Sequence, residues 1–299
     1  FRAPRASPDG RRIVFERREG TESIFIYDLD GTTAARRLTF DGRAAGPIFS
    51  ADGQHVTFHK ESDNQSERGL YWIRADGSGG LERLTTPAGG EIHVAEDWAP
   101  DGRTLLFSAG GAGRWTLWAL SMPERRATQI STARGVAPLG ASFSPDGRWI
   151  AYAVPGGTLH TIYVEPFPGT GAKFEAPRRA GDDPHHPLWS PDGKALYATV
   201  RPGVVEMIPV AVAGRTFTFG NPSPVANGYR TQAPTLPRAG CQQKYGMSSP
   251  SDRQACSRLS LPLTWNSLPS TWILAICFKP ELRLPPQAPI PRGCHARTH

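Results

Sequence analysis

One four-residue signature recurs five times along this chain: SPDG at Ser7–Gly10, SADG at Ser50–Gly53, APDG at Ala99–Gly102, and SPDG again at Ser144–Gly147 and Ser190–Gly193. The Asp-to-Asp steps are 43, 49, 45 and 46 residues. A repeat of that length belongs to a propeller blade of four strands. Alignment on the Asp brings flanking positions into register as well. Three residues before it stand Phe49, Trp98, Phe143 and Trp189; four after it stand Ile13, Val56, Leu105, Ile150 and Leu196; six after it stand Phe15, Phe58, Phe107 and Tyr152. Such alternation is the pattern of a strand with one buried face, so the aromatic set is expected to be buried at equivalent places in successive blades. Pro presets φ and Gly accepts the positive φ that closes the turn, which gives the anchor a mechanical reason. Third strands are expected at Ile24–Tyr27, Leu70–Ile73, Leu117–Leu120 and Ile162–Val164, and fourth strands around Arg37–Thr39 and Arg83–Thr85. No long segment carries helical periodicity. The sequence predicts an all-β fold, a β-propeller of four-stranded antiparallel blades.

Charge narrows the function classes once it is divided along the chain. Of the net +7, residues 239–299 hold +5, from seven Lys/Arg against Asp252 and Glu281, which leaves +2 for the repeats. No basic stripe with interleaved aromatics runs through the body, so nucleic-acid binding is not expected. Cys241, Cys256, Cys277 and Cys294 all fall in that last stretch, spaced too widely for a CxxC-type zinc site. The apolar run Trp272–Phe278 is well short of the roughly 18 residues a membrane helix needs, so no membrane insertion is expected. The opening FRAPRASPDG has neither an initiator Met nor a cleavage site, which reads as a fragment of a larger protein.

With these residues in view, residues 1–236 resemble the TolB-like β-propeller repeats, related in architecture to WD-type blades. A narrower similarity lies in IYVEPFPG (Ile162–Gly169), PLWSPDG (Pro187–Gly193), Ile208-Pro209-Val210 and TFGNP (Thr218–Pro222), which look like the propeller attached to bacterial membrane Ser/Thr kinases. The kinase's Gly-rich loop, HRD and DFG are not found. The resemblance implies a sixth blade near residue 237, and a periplasmic or other extracytoplasmic setting. Instead, residues 237–299 form an atypical tail with eight Pro, seven Ser and only three Gly from residue 239 onward, expected to be disordered or frameshift-derived.

No GxSxG elbow occurs, and Gly77-Ser78-Gly79-Gly80 sits in a turn without the strand-to-helix setting that exposes a nucleophile. His55 and His59, four apart on one strand, span roughly 13 Å and are read as packing residues. The anchor aspartates supply one carboxylate per blade, too few for a calcium cage. No catalytic residue, metal site or cofactor is predicted. The remaining candidates precede innermost strands, where propeller connections face the central channel: Arg43, His93, Glu96, His185 and His186. They are assigned to a ligand-binding rim at the channel mouth, with solvated loop residues as the plain alternative. The function this supports is a non-catalytic binding or sensing module for a protein or small-molecule partner. The alternatives are the detached propeller of a prolyl-oligopeptidase-type peptidase or of a receptor-like Ser/Thr kinase and, last, a propeller lyase or hydrolase using channel histidines and metal.

Overall fold

The structure, a computed structural model, describes residues 2–225 apart from 112–113, 132–138, 157 and 215. Five antiparallel sheets follow one another in chain order, each a meander whose strands run a, b, c, d from the channel outward. The innermost strands are Arg2–Ala6, Arg43–Phe49, Ile92–Trp98, Leu139–Phe143 and His185–Trp189. The described helix is limited to one short turn at Gln65–Glu67, and no described helix is long and apolar enough to cross a membrane. The molecule is an all-β propeller. The sixth-blade start and the tail of residues 237–299 lie outside the described residues.

Outer strands are shorter than the sequence pattern suggests. Strand d is only Arg36–Arg37 in blade 1 and Glu82–Arg83 in blade 2, because the next residues turn back toward the channel: Leu38 and Leu84 already pack inward. Blade 5 departs from four strands. Its c strand, Val204–Ala213, pairs at one end with Thr216–Phe219 and at the other with Ser223–Pro224.

The repeated turn explains why the anchor has its composition. Each anchor Gly sits at φ between +67° and +70°, a region open to glycine at little cost, and donates its N–H to the carbonyl three residues back. In four anchors the Ser hydroxyl donates to the Asp carboxylate at 2.5–2.6 Å. The same hydroxyl accepts the N–H five residues ahead, at 2.9–3.0 Å. The same carboxylate oxygen also takes a backbone N–H two residues on, which commits it to the turn. Blade 3 has Ala99 at the Ser position and keeps the turn without the hydroxyl. Replacing Ser144 by Ala would leave the buried Trp149 N–H without this acceptor, and the expected loss is about 1–3 kcal/mol in urea unfolding. A loss under about 0.5 kcal/mol would show that the hydroxyl is dispensable, as it is at Ala99.

Successive blades share their cores. The aromatic three residues before each anchor Asp packs on the preceding blade: Phe49 with Ile24 and Ile26, Trp98 with Leu70 and Leu84, Phe143 with Leu106 and Leu117, Trp189 with Ile162 and Val164. All four aromatics are buried, as the alternation requires. Trp98 Nε1 donates to Thr57 Oγ1 at 3.1 Å and Trp189 Nε1 to the Ser142 carbonyl at 3.3 Å, so the indoles also tie blades together by hydrogen bonds. Innermost strands pack side by side from blade 1 to blade 5, whereas blade 5 makes no comparable contact with blade 1 among the described residues.

Candidate functional site

Every innermost strand is interrupted at the same height by a β-bulge. Opposite the side chain six residues after the anchor Asp, two residues of strand a face one of strand b: Ala3-Pro4, Gly46-Pro47, Gly140-Ala141 and His186-Pro187 in blades 1, 2, 4 and 5. The first of each pair lies six residues before the anchor Asp and has positive φ: 43° at Ala3, 62° at Gly46, 67° at Gly140 and 52° at His186. Proline is tolerated at three of the second positions because a bulge spares the ladder a donor. In blade 3 the extra residue is Glu96, between Ala95, which faces Phe107, and Asp97, which faces Leu106.

The bulges of blades 3, 4 and 5, with the residues that follow the bulges in blades 1 and 2, line a cavity of about 530 Å³ to which all five innermost strands contribute. Much of its wall is apolar, from Ile48, Phe49, Trp98, Leu188 and Trp189. Its ionisable groups are Arg5, Glu96, Asp97 and His186. Glu96 receives the Ser108 hydroxyl at 2.6 Å and the Ala141 N–H at 3.3 Å; Asp97 receives the N–H groups of Trp98 and Phe143, both at 2.9 Å. Both carboxylates thus fasten blade 3 to blade 4. Burial pushes Glu96 up to about 7 and Asp97 up to about 6, against the lowering effect of these bonds and of Arg5. Burial also holds His186 down to about 4, with His185 and Arg5 acting in the same direction. A side chain at Gly140 would stand 2.8 Å from His186 Cα and 3.2 Å from its ring, so the glycine leaves the room the imidazole occupies.

No protein-family model matches the chain. The Tol-Pal system protein TolB of Anaeromyxobacter dehalogenans is 33% identical over 82 residues, which is 27% of this chain and 18% of that protein. The uncharacterized peptidase YuxL of Bacillus subtilis is 24% identical over 201 residues, 64% of this chain and 28% of the peptidase. The match therefore spans less than a third of either curated relative. Among solved structures, putative TolB from Agrobacterium tumefaciens superposes with a TM-score of 0.57 at 18% identity, over 73% of this chain and 79% of that one. The fold is the TolB-like β-propeller.

On this propeller the five residues singled out from sequence fall into three places. All of them stand in innermost strands rather than in the connections before them, because those strands start earlier than the apolar pattern reveals. Glu96 and His186 line the central cavity. His185 adjoins it, its Nδ1 2.8 Å from His186 Nδ1, so one of the two nitrogens carries the proton between them; its ring also meets His160, which is bonded to Asp183 at 2.7 Å. His93 is buried, bonded to Thr85 Oγ1 at 2.8 Å, and borders a separate recess of about 190 Å³ between blades 2 and 3 with His59, Arg68 and Glu91. Arg43, exposed at the start of its innermost strand, stands 3.5 Å from Glu61 and 3.7 Å from Asp63 and does not line the cavity. The cavity thus unites two of the five with Arg5 and Asp97, which sequence reading passed over. The pairs Ala3-Pro4, Gly46-Pro47 and His186-Pro187 stand at one fixed offset from the anchor and mark the bulges, of which only His186-Pro187 itself lines the cavity.

Proposed function

We propose that this chain is a non-catalytic binding or sensing propeller of a larger, extracytoplasmic bacterial protein, taking its ligand in the central cavity. The observation that carries the reading is the convergence of five separate strands on one largely apolar cavity holding a few polar groups, the usual composition of a small-molecule site. Function in such folds resides in the site rather than in the architecture. The second reading, a propeller belonging to a peptidase, is favoured by the longer of the two curated matches. The IYVEPFPG resemblance keeps the kinase-attached propellers as a further type of parent protein.

The test is a thermal-shift panel of amino acids, short peptides, sugars and divalent cations on the full chain. It is paired with peptidase and esterase assays. A ligand that raises the midpoint, with the shift lost in Arg5→Met and Glu96→Gln together, is the expected result. Ligand-induced stabilisation that both substitutions leave unchanged would overturn the cavity as the site. Turnover abolished by a single body substitution would overturn the non-catalytic role.

A further inference from the structure

Arg5 is the cavity's one unexplained cation. It lines the cavity half-buried and makes no hydrogen bond or ion pair among the described residues, although it acts electrostatically on Glu96, Asp97 and His186. A guanidinium offers five donors in a planar fork matched to a carboxylate, and those of Arg5 stay open to the cavity. Glu96 and Asp97 are in a complementary position. Each carboxylate oxygen takes a single donor from the protein, so each retains accepting capacity toward the cavity.

Four kinds of occupant can be weighed against this set. A simple anion would engage Arg5 but face two carboxylates. A simple cation would engage the carboxylates but leave the guanidinium unpaired and repelling it. A divalent metal lacks a ligand set, since no group of three ligating side chains suited to a metal occurs among the described residues. A molecule carrying one carboxylate and one ammonium satisfies both ends, and the walls of Ile48, Phe49 and Leu188 suit an apolar side chain.

We propose that the central cavity binds a zwitterionic α-amino acid with an apolar side chain, its carboxylate on Arg5 and its ammonium on Glu96 and Asp97. This rests on the reading of the cavity as the binding site. The ammonium would add counter-charge beside the two carboxylates, so uptake near pH 7 should expel a proton chiefly from Glu96, with Arg5 and His186 the other ionisable groups facing the pair.

The experiment is calorimetric titration of the full chain with three probes: L-phenylalanine, N-acetyl-L-phenylalanine, which lacks the ammonium, and L-phenylalaninamide, which lacks the carboxylate. L-Phenylalanine is expected to bind at least about tenfold more tightly than either blocked form, a difference of about 1.4 kcal/mol. Arg5→Met should weaken L-phenylalanine by a similar factor and leave the amide unchanged. Glu96→Gln should weaken both probes that carry the ammonium and leave the acetyl form unchanged. Titrations in buffers of different ionisation enthalpy should show proton release for the two ammonium-bearing probes.

Equal binding of the parent and a blocked form, or L-phenylalanine binding weaker than about 1 mM, would overturn the ligand class. The cavity reading would survive that result if another ligand in the panel depends on Arg5 and Glu96. It would fall with the ligand class if none does.

Discussion

Trp98→Ala is expected to lower the stability of the propeller by about 3–5 kcal/mol, measured as the shift in urea unfolding midpoint at constant slope. Trp98 is 5% exposed and sits where two blades share a core: Leu70 and Leu84 come from blade 2, Leu105 and Phe107 from blade 3. Its ring stacks on Trp72 with centroids 5.8 Å apart. Truncation removes a large apolar surface, opens a cavity that two rigid sheets cannot collapse to fill, and deprives the fully buried Thr57 hydroxyl of its indole partner. Trp98→Phe separates these contributions, since it retains an aromatic ring while losing the N–H; about 1–2 kcal/mol is expected. Phe40, 71% exposed, provides the opposite case, and Phe40→Ala should stay within about 0.5 kcal/mol. A loss below about 1 kcal/mol for Trp98→Ala would mean that the blade interface repacks freely, contrary to the shared core seen here.

Trp98 belongs to the part of the molecule that could be read from sequence, and the contrast with Asp97 beside it shows why the rest could not. The anchor fixes a turn, the turn fixes the phase of the strands on either side, and within one phase apolar alternation reports burial directly. Phe58, Phe107 and Tyr152 were therefore placed on the buried face by counting alone, and they are buried. A β-bulge resets that phase. Glu96 is the inserted residue, so counting from the anchor does not place it or Asp97, and both line the cavity. Arg5 was lost for a similar reason: it follows the blade 1 bulge, and nothing in its local sequence distinguishes a channel residue from a solvated one. Its neighbour Pro4, like Pro47 and Pro187, was visible throughout. Strand pairing shows proline five residues before the anchor to stand where the strand can spare an N–H.

The pH dependence of stability should divide into two opposing parts, and Glu96→Gln should expose the division. Glu96 titrates near 7 in the folded chain, against an ordinary value of 4.5, because burial disfavours its charge. The folded state therefore holds this proton more tightly than the unfolded state does. Stability attached to Glu96 is present below about pH 4.5 and is lost as pH rises through 7; Asp97, raised to about 6, acts in the same direction. His93 and His186 do the reverse. Burial holds both near 4, against an ordinary 6.5, so unfolding takes up protons on them and stability falls as pH drops from about 6.5 toward 4. Over the pH 4–7 window the two sets oppose each other, and the wild-type curve should be shallow there. Glu96→Gln removes the largest acidic part. Between pH 5 and 8 the variant should gain on wild type by about 2–3 kcal/mol, the part of Glu96's displacement that falls in this window at 1.36 kcal/mol per pH unit. The amide can still accept from Ser108, but its N–H₂ would meet the Ala141 N–H. A constant penalty is therefore expected, and the slope, not the offset, is the diagnostic quantity. His93→Gln should tilt the difference the other way, losing less stability than wild type on acidification. Urea unfolding of the three proteins at four pH values from 5 to 8 reads all of this. Parallel curves for Glu96→Gln and wild type would show that Glu96 is ionised at no cost in the folded protein, and that the cavity is wet and open at the blade 3–4 junction.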